Sequence, residues 1–144
     1  METSARTPLH LWIVGAVATL WNAFGCFDYL MTETRNAGYM AMMTDAQRAW
    51  IDAFPAWSEG AWACGVWGGL LGSLLLLARS RWAVPAFILS LAGLAVVTVY
   101  QRAMSTMPEQ FDSPAMWAMT AAIWAVAIFL LFYALAMRGR GVLR

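Results

Sequence analysis

Four stretches of about 20 residues are almost wholly apolar, and that pattern leaves few folds open to the chain. They run at about Leu9–Leu30, Gly60–Ala78, Trp82–Gln101 and Pro114–Met137. A helix needs roughly 20 apolar residues to cross a bilayer. The runs are continuously apolar rather than alternating, so they do not read as strands of a membrane barrel. Helices also satisfy their own backbone groups in lipid, which isolated strands cannot do. Only Arg79-Ser80-Arg81 separates the second run from the third, so these two form an antiparallel hairpin. The fourth opens on Ser113-Pro114, an N-cap followed by proline at the first helical position. The expected fold is an all-α integral membrane protein. It is a single four-transmembrane-helix bundle over residues 1–144, with an outer loop at 31–59.

Composition excludes the alternatives. The 144 residues are 62% hydrophobic and 12% charged, whereas a soluble domain carries about a quarter charged residues. A water-soluble globule and a disordered chain are both excluded. The nine basic residues are all arginine and the net charge is +1, so no patch suits a nucleic acid. Two cysteines imply no disulfide framework. The partner this composition calls for is the lipid bilayer.

The 31–59 loop is not featureless. Thr44-Asp45-Ala46-Gln47 reads as a capping box, opening a short amphipathic helix that ends before Pro55. Trp50, Ile51 and Phe54 fall on one side, which suits a helix lying on a membrane surface or capping the bundle. Near the N-terminus, Ala23-Phe24-Gly25-Cys26 resembles a lipoprotein cleavage site. It lacks the branched apolar residue three before cysteine and the helical pattern runs past it, so the first helix is expected to be retained.

Charge sets the expected sidedness. With four spans, Arg6, Arg79, Arg81, Arg138, Arg140 and Arg144 share one side with Glu2 as the only acid. The opposite side holds Arg35, Arg48 and Arg102 against seven acids from Asp28 to Asp112. Arginine excess in short loops marks the cytoplasmic face, so both termini are expected inside. Arginine and alanine abundance without lysine points to a GC-rich bacterial genome, and hence to a bacterial inner membrane.

Small residues would let the helices approach. The second span carries Ala61, Gly65, Gly69 and Ser73 at four-residue spacing. The third offers Ala83, Ala86, Ser90 and Gly93, and the first Gly15, Ala18, Asn22, Gly25 and Tyr29. Four such helices enclose little volume, so a translocation pathway would call for a homo-oligomer.

Polar residues at membrane depth are costly and point to function. Asn22 lies deepest on the first span, with Asp28 and Tyr29 beyond it. Glu59 and Trp62 begin the second span, and Tyr100, Gln101 and Arg102 end the third at the same level. Thr98 and Thr120 lie nearby. Together these residues suit an outward-facing pocket for a small, hydroxylated polar solute, with Asp28 and Arg102 expected to neutralise one another. A plainer reading takes the carboxylates as interface markers and the aromatics as a belt.

Methionine offers a lesser alternative. Met40, Met42, Met43, Met104, Met107, Met116 and Met119 crowd the outer side, and thioethers with Cys26 and Cys64 would select a soft ion such as Cu(I). Methionine is also a general apolar filler. His10 stands alone, and no phosphate loop, nucleophile triad or HExxH motif occurs. No cofactor and no enzymatic activity are expected.

The run Trp21-Asn22-Ala23-Phe24-Gly25-Cys26-Phe27-Asp28-Tyr29-Leu30-Met31-Thr32 also carries a resemblance. So do Phe54-Pro55-Ala56-Trp57, Gly65-Val66-Trp67-Gly68 and the closing Met137-Arg138-Gly139-Arg140-Gly141-Val142-Leu143-Arg144. Together they resemble a group of small four-helix proteobacterial membrane proteins often labelled sugar transporters, over nearly the whole chain. The resemblance implies transport of a sugar-like solute and supplies no site motif. The other class consistent with the sequence is a non-catalytic accessory subunit of a larger membrane complex.

Overall fold

The computed structural model describes residues 6–144, and all regular structure among them is helical. Glu2, counted above on the arginine-rich side, lies outside the described residues. Four helices are long and apolar enough to cross a membrane. They are α1 (Leu9–Glu33), α4 (Ala56–Leu77), α5 (Ala83–Val99) with the π-helical turn that extends it to Met104, and α6 (Pro114–Gly139). Two short helices, α2 (Ala37–Ala41) and α3 (Asp45–Asp52), occupy the connection from α1 to α4. α1 continues through Cys26 without a break.

The bounds differ from the sequence expectation where polar residues belong to helix ends. α4 begins at Ala56, directly behind Pro55, and its first turn takes in Ser58 and Glu59. A first turn has unpaired N–H groups and a positive dipole end, so a carboxylate is favoured there. α5 passes at Tyr100 into a π-helical turn that reaches Met104. Ser113 caps α6 by accepting from Met116 N at 3.3 Å.

Three long helices end in the same way. Arg35, Arg79 and Gly141 have φ of 52°, 56° and 70°. The next residue in each case donates back to the carbonyl five residues earlier, as Ser80 N does to Leu75 O at 2.8 Å and Val142 N to Met137 O at 3.0 Å. This left-handed closure satisfies carbonyls that a helix end leaves unpaired. It lets the α4–α5 hairpin turn within five residues.

α4 is central, packed on α1 along one side and on α5 along another, while α6 packs on α5. Close approach is made where side chains are smallest. A β-carbon on Gly68 would sit 3.1 Å from Ser90 N and 3.2 Å from Ala86 O, both backbone atoms of α5. Gly72 gives the same room to the Phe87 ring, and Gly15 to the Leu77 side chain. Ser90 Oγ adds a hydrogen bond across the seam, donating to Gly65 O at 2.6 Å.

The two ends of the molecule differ. At the end bearing Arg79 and Arg81, here the arginine end, Leu11, Leu76, Ala83, Phe87, Leu130, Ala134 and Met137 form a continuous buried core. Val142 and Leu143 fold back into it. Arg144 then pairs with the hairpin turn, accepting from Arg81 N at 2.9 Å and donating to Arg79 O at 2.8 Å. At the opposite cap end, α3 lies over the helices. Its capping box forms both bonds, Gln47 N to Thr44 Oγ1 at 3.2 Å and Thr44 N to Gln47 Oε1 at 2.9 Å. Trp50 packs on Phe54 and Phe111, with ring centroids 4.8 and 5.2 Å away. Phe54 and Trp57 each meet the Tyr100 ring edge-on.

Candidate functional site

Toward the cap end, the space between α1 and α6 opens into a cavity of about 490 Å³. Its size is ordinary for a small-molecule site. α1 supplies Trp21, Asn22, Phe24, Gly25 and Asp28, which share one helical face by their spacing. α4 supplies Trp62, Gly65, Val66 and Gly69. α5 contributes Phe87, Ser90 and Thr98, the π-helical turn Gln101, and α6 residues from Met116 to Leu130, including Thr120, Ile123 and Ala127. Two of the lining residues, Phe87 and Leu130, also belong to the buried core at the arginine end. There α1 and α6 are joined by a hydrogen bond between the His10 ring and the Tyr133 hydroxyl.

The polar groups of the wall fall into two kinds. Asn22 Nδ2 donates to Ala18 O at 2.9 Å and to Ser73 Oγ at 3.1 Å. Ser73 in turn donates to Gly69 O at 2.8 Å. Thr98 Oγ1 donates to Leu94 O and accepts from Trp124 Nε1 at 3.2 Å. Thr120 donates to Met116 O at 3.0 Å. Apart from the Asn22 Oδ1 acceptor, these groups are already committed to the helices. Gln101 is different: its side-chain amide makes no hydrogen bond among the described residues, although it lines the cavity. Its two donors and one acceptor are available there.

Asp28 is held from outside the helices. Its carboxylate accepts a hydrogen bond from the Tyr39 hydroxyl on α2. Burial, followed by this hydrogen bond and the Asp28 charge, pushes the Tyr39 hydroxyl pKa up to about 12. The Asp28–Arg102 pair expected from the sequence is replaced by two separate arrangements. Arg102 lies over the Trp117 ring, 3.6 Å from its centre, and 3.6 Å from the Asp112 carboxylate. The π-helical turn carries Arg102 toward the start of α6 instead of toward α1.

Of the eight residues proposed to bind solute, Asn22, Asp28, Trp62 and Gln101 line the cavity. Tyr29 stands behind the wall, with its ring centre 5.0 Å from that of Trp62. Tyr100 is buried in the cap and donates to Ala53 O at 3.3 Å. Glu59 sits in the first turn of α4 and Arg102 in its aromatic clamp, neither lining the cavity. Gly65 and Gly69 face α5 and Asn22 respectively, and Ser73 is fully buried against Asn22. Trp21, Phe24 and Phe87 were not singled out in the sequence. Trp21 could have been found from its four- and seven-residue spacing to Gly25 and Asp28. Tyr39 had no local signal, because its partner lies across a loop.

Among the described residues, no three His, Cys, Asp or Glu side chains converge as a metal site would require. Cys26 is buried and its thiol donates to Val66 O at 3.3 Å, while Cys64 is exposed. No protein family matches the chain, and neither a curated protein nor a solved structure does so.

Proposed function

We propose that the chain is a multi-pass membrane protein that binds a small hydroxylated solute in the cavity between α1 and α6. The observation that carries this reading is the unpaired Gln101 amide facing a 490 Å³ cavity, beside Asp28 and aromatic walls at Trp21 and Trp62. Aromatic faces cover the apolar side of a hydroxylated ring, while an amide and a carboxylate take up its hydroxyls. The four long apolar helices support insertion in a bilayer. The arginine excess near residues 79–81 and 138–144 supports a cytoplasmic position for that end. On this orientation the cavity lies toward the outer face. Binding is then the primary act, and transport would require the packed arginine end to open.

The test is direct binding to protein in phosphatidylcholine nanodiscs, prepared without glycoside detergents. Hexoses and hexosides should give saturable, single-site binding. Gln101→Leu should weaken it about tenfold, the cost of one lost hydrogen bond in a closed site. Unsaturable binding, or wild-type affinity in Gln101→Leu, would overturn the proposal.

A further inference from the structure

A second, smaller cavity continues the first. It has a volume of about 310 Å³ and is lined by Ile13, Val14, Val17, Ala18, Trp21, Val126, Phe129 and Leu130. Trp21, Val126 and Leu130 belong to both linings. A single groove therefore follows the seam between α1 and α6, and its polarity changes along its length. Near the cap end it presents Asp28, Thr98 and Gln101, whereas below Trp21 every lining side chain is hydrocarbon or aromatic. Fifteen residues of α1 separate Asp28 from Ile13, about 22 Å at the helical rise. That exceeds half of the roughly 30 Å hydrocarbon core of a bilayer.

The rim of the groove faces outward. Phe24 is 72% exposed, and Trp21, Ile123 and Met119 also show large parts of their side chains at the surface. A polar solute entering between these residues would have to cross an apolar rim. A molecule with its own hydrocarbon chain would not. The head of such a molecule must also suit a wall with one carboxylate, Asp28, and no Arg or His. An anionic head is unfavourable beside an unneutralised carboxylate at low dielectric.

We infer that the groove holds a single-chain amphiphile with a neutral, hydroxylated head, which enters sideways from the bilayer between α1 and α6. The head lies at Gln101 and Asp28, and the chain runs down past Trp21 to Ile13. This rests on the solute-binding reading and extends it, naming the molecule as a lipid-borne one. The chain gains little by leaving lipid for a hydrocarbon groove, so the head supplies selectivity.

The test uses an alkyl glucoside carrying a diazirine in its chain, with the protein in phosphatidylcholine nanodiscs. After irradiation, the labelled peptides are mapped by mass spectrometry. The expected result is saturable labelling confined to residues 13–28 and 116–130. Unlabelled alkyl glucoside should protect, and alkyl sulfate of the same chain length should not. Ile123→Trp, at the exposed rim, should reduce labelling about tenfold with helix content unchanged. Gln101→Leu should do the same without blocking the entrance. Unsaturable label spread over outward residues such as Leu89 and Phe132 would overturn the inference. So would equal protection by the alkyl sulfate. If free glucose protects as well as the alkyl glucoside, the lipid-borne ligand is wrong while the solute site stands. If neither protects, both fall.

Discussion

A β-carbon at Gly93 would stand 2.6 Å from the backbone nitrogen of Gly65. Real β-carbons do not come that close to another atom, and helix backbone cannot yield as a flexible side chain can. The α4–α5 hairpin is therefore built around a residue of α5 that must lack a side chain. Gly65 is less constrained, because its own β-carbon would meet α5 no closer than 3.5 Å. Gly93→Ala should destabilise the protein by about 1–3 kcal/mol through overpacking. Gly65→Ala should be neutral, or slightly stabilising through helix propensity. Thermal unfolding in one detergent compares the two. Equal effects would mean that the seam adapts.

Asn22, on the cavity wall, and Ser73 behind it join α1 to α4. A cycle of Asn22→Ala, Ser73→Ala and the double variant should give a coupling energy of about 0.6 kcal/mol, the average for hydrogen bonds between helices in lipid, and no more than about 1.7 kcal/mol. Strict additivity would show that the bond adds nothing beyond what each residue gains from its own helix.

Arg102 should depend on Trp117 and not on Asp28. Trp117→Ala should couple to Arg102→Gln by about 0.5–1 kcal/mol, the value of a cation over an aromatic face near the surface. Asp112 is half exposed, so its pairing with Arg102 at 3.6 Å should contribute less. Asp28→Asn and Arg102→Gln should be additive within about 0.5 kcal/mol. A larger coupling would restore the pair expected from the sequence.

Tyr39 predicts an alkaline transition. Its pKa is raised from 10.0 to about 12 by burial and by Asp28, so the folded state holds the proton more tightly than the unfolded chain does. The stabilisation is complete below pH 10 and is lost as pH rises through about 12. Tyrosinate absorbance should lose a late-titrating component of one tyrosine in Tyr39→Phe. Stability of the variant should also fall less steeply across that interval. An unchanged profile would mean that Tyr39 titrates as a solvated phenol.

The sequence made the four long helices legible, because a run of 20 apolar residues has few other structures open to it. It also located α3, since a capping box is a local pattern that needs only four residues. Its failures share a cause. Asp28 was paired with Arg102 because both were charged and at one depth. The actual partners were set by a π-helical turn and by a loop helix, and neither shows in hydrophobic periodicity. Glu59 and Tyr100 were assigned to a pocket for their chemistry, but their backbone positions put them in a first helical turn and in the cap. By spacing, Gly93 is one of a small-residue stripe. Its distinction from Gly65 depends on a few tenths of an ångström in helix approach, which spacing alone does not encode.

The order of chain synthesis gives the α6 wall a further consequence. The α4–α5 hairpin consists of contacts close in sequence, and α1 meets α4 soon afterwards, so this three-helix part can assemble early. The fourth wall waits for α6, and the Arg79–Arg81 turn waits for Arg144, some sixty residues later. Before then, the polar faces at Asn22 and Gln101 have no wall opposite them. The groove between α1 and α6 is thus the last feature the chain acquires, and damage to α6 should remove it while leaving a hairpin core that still folds.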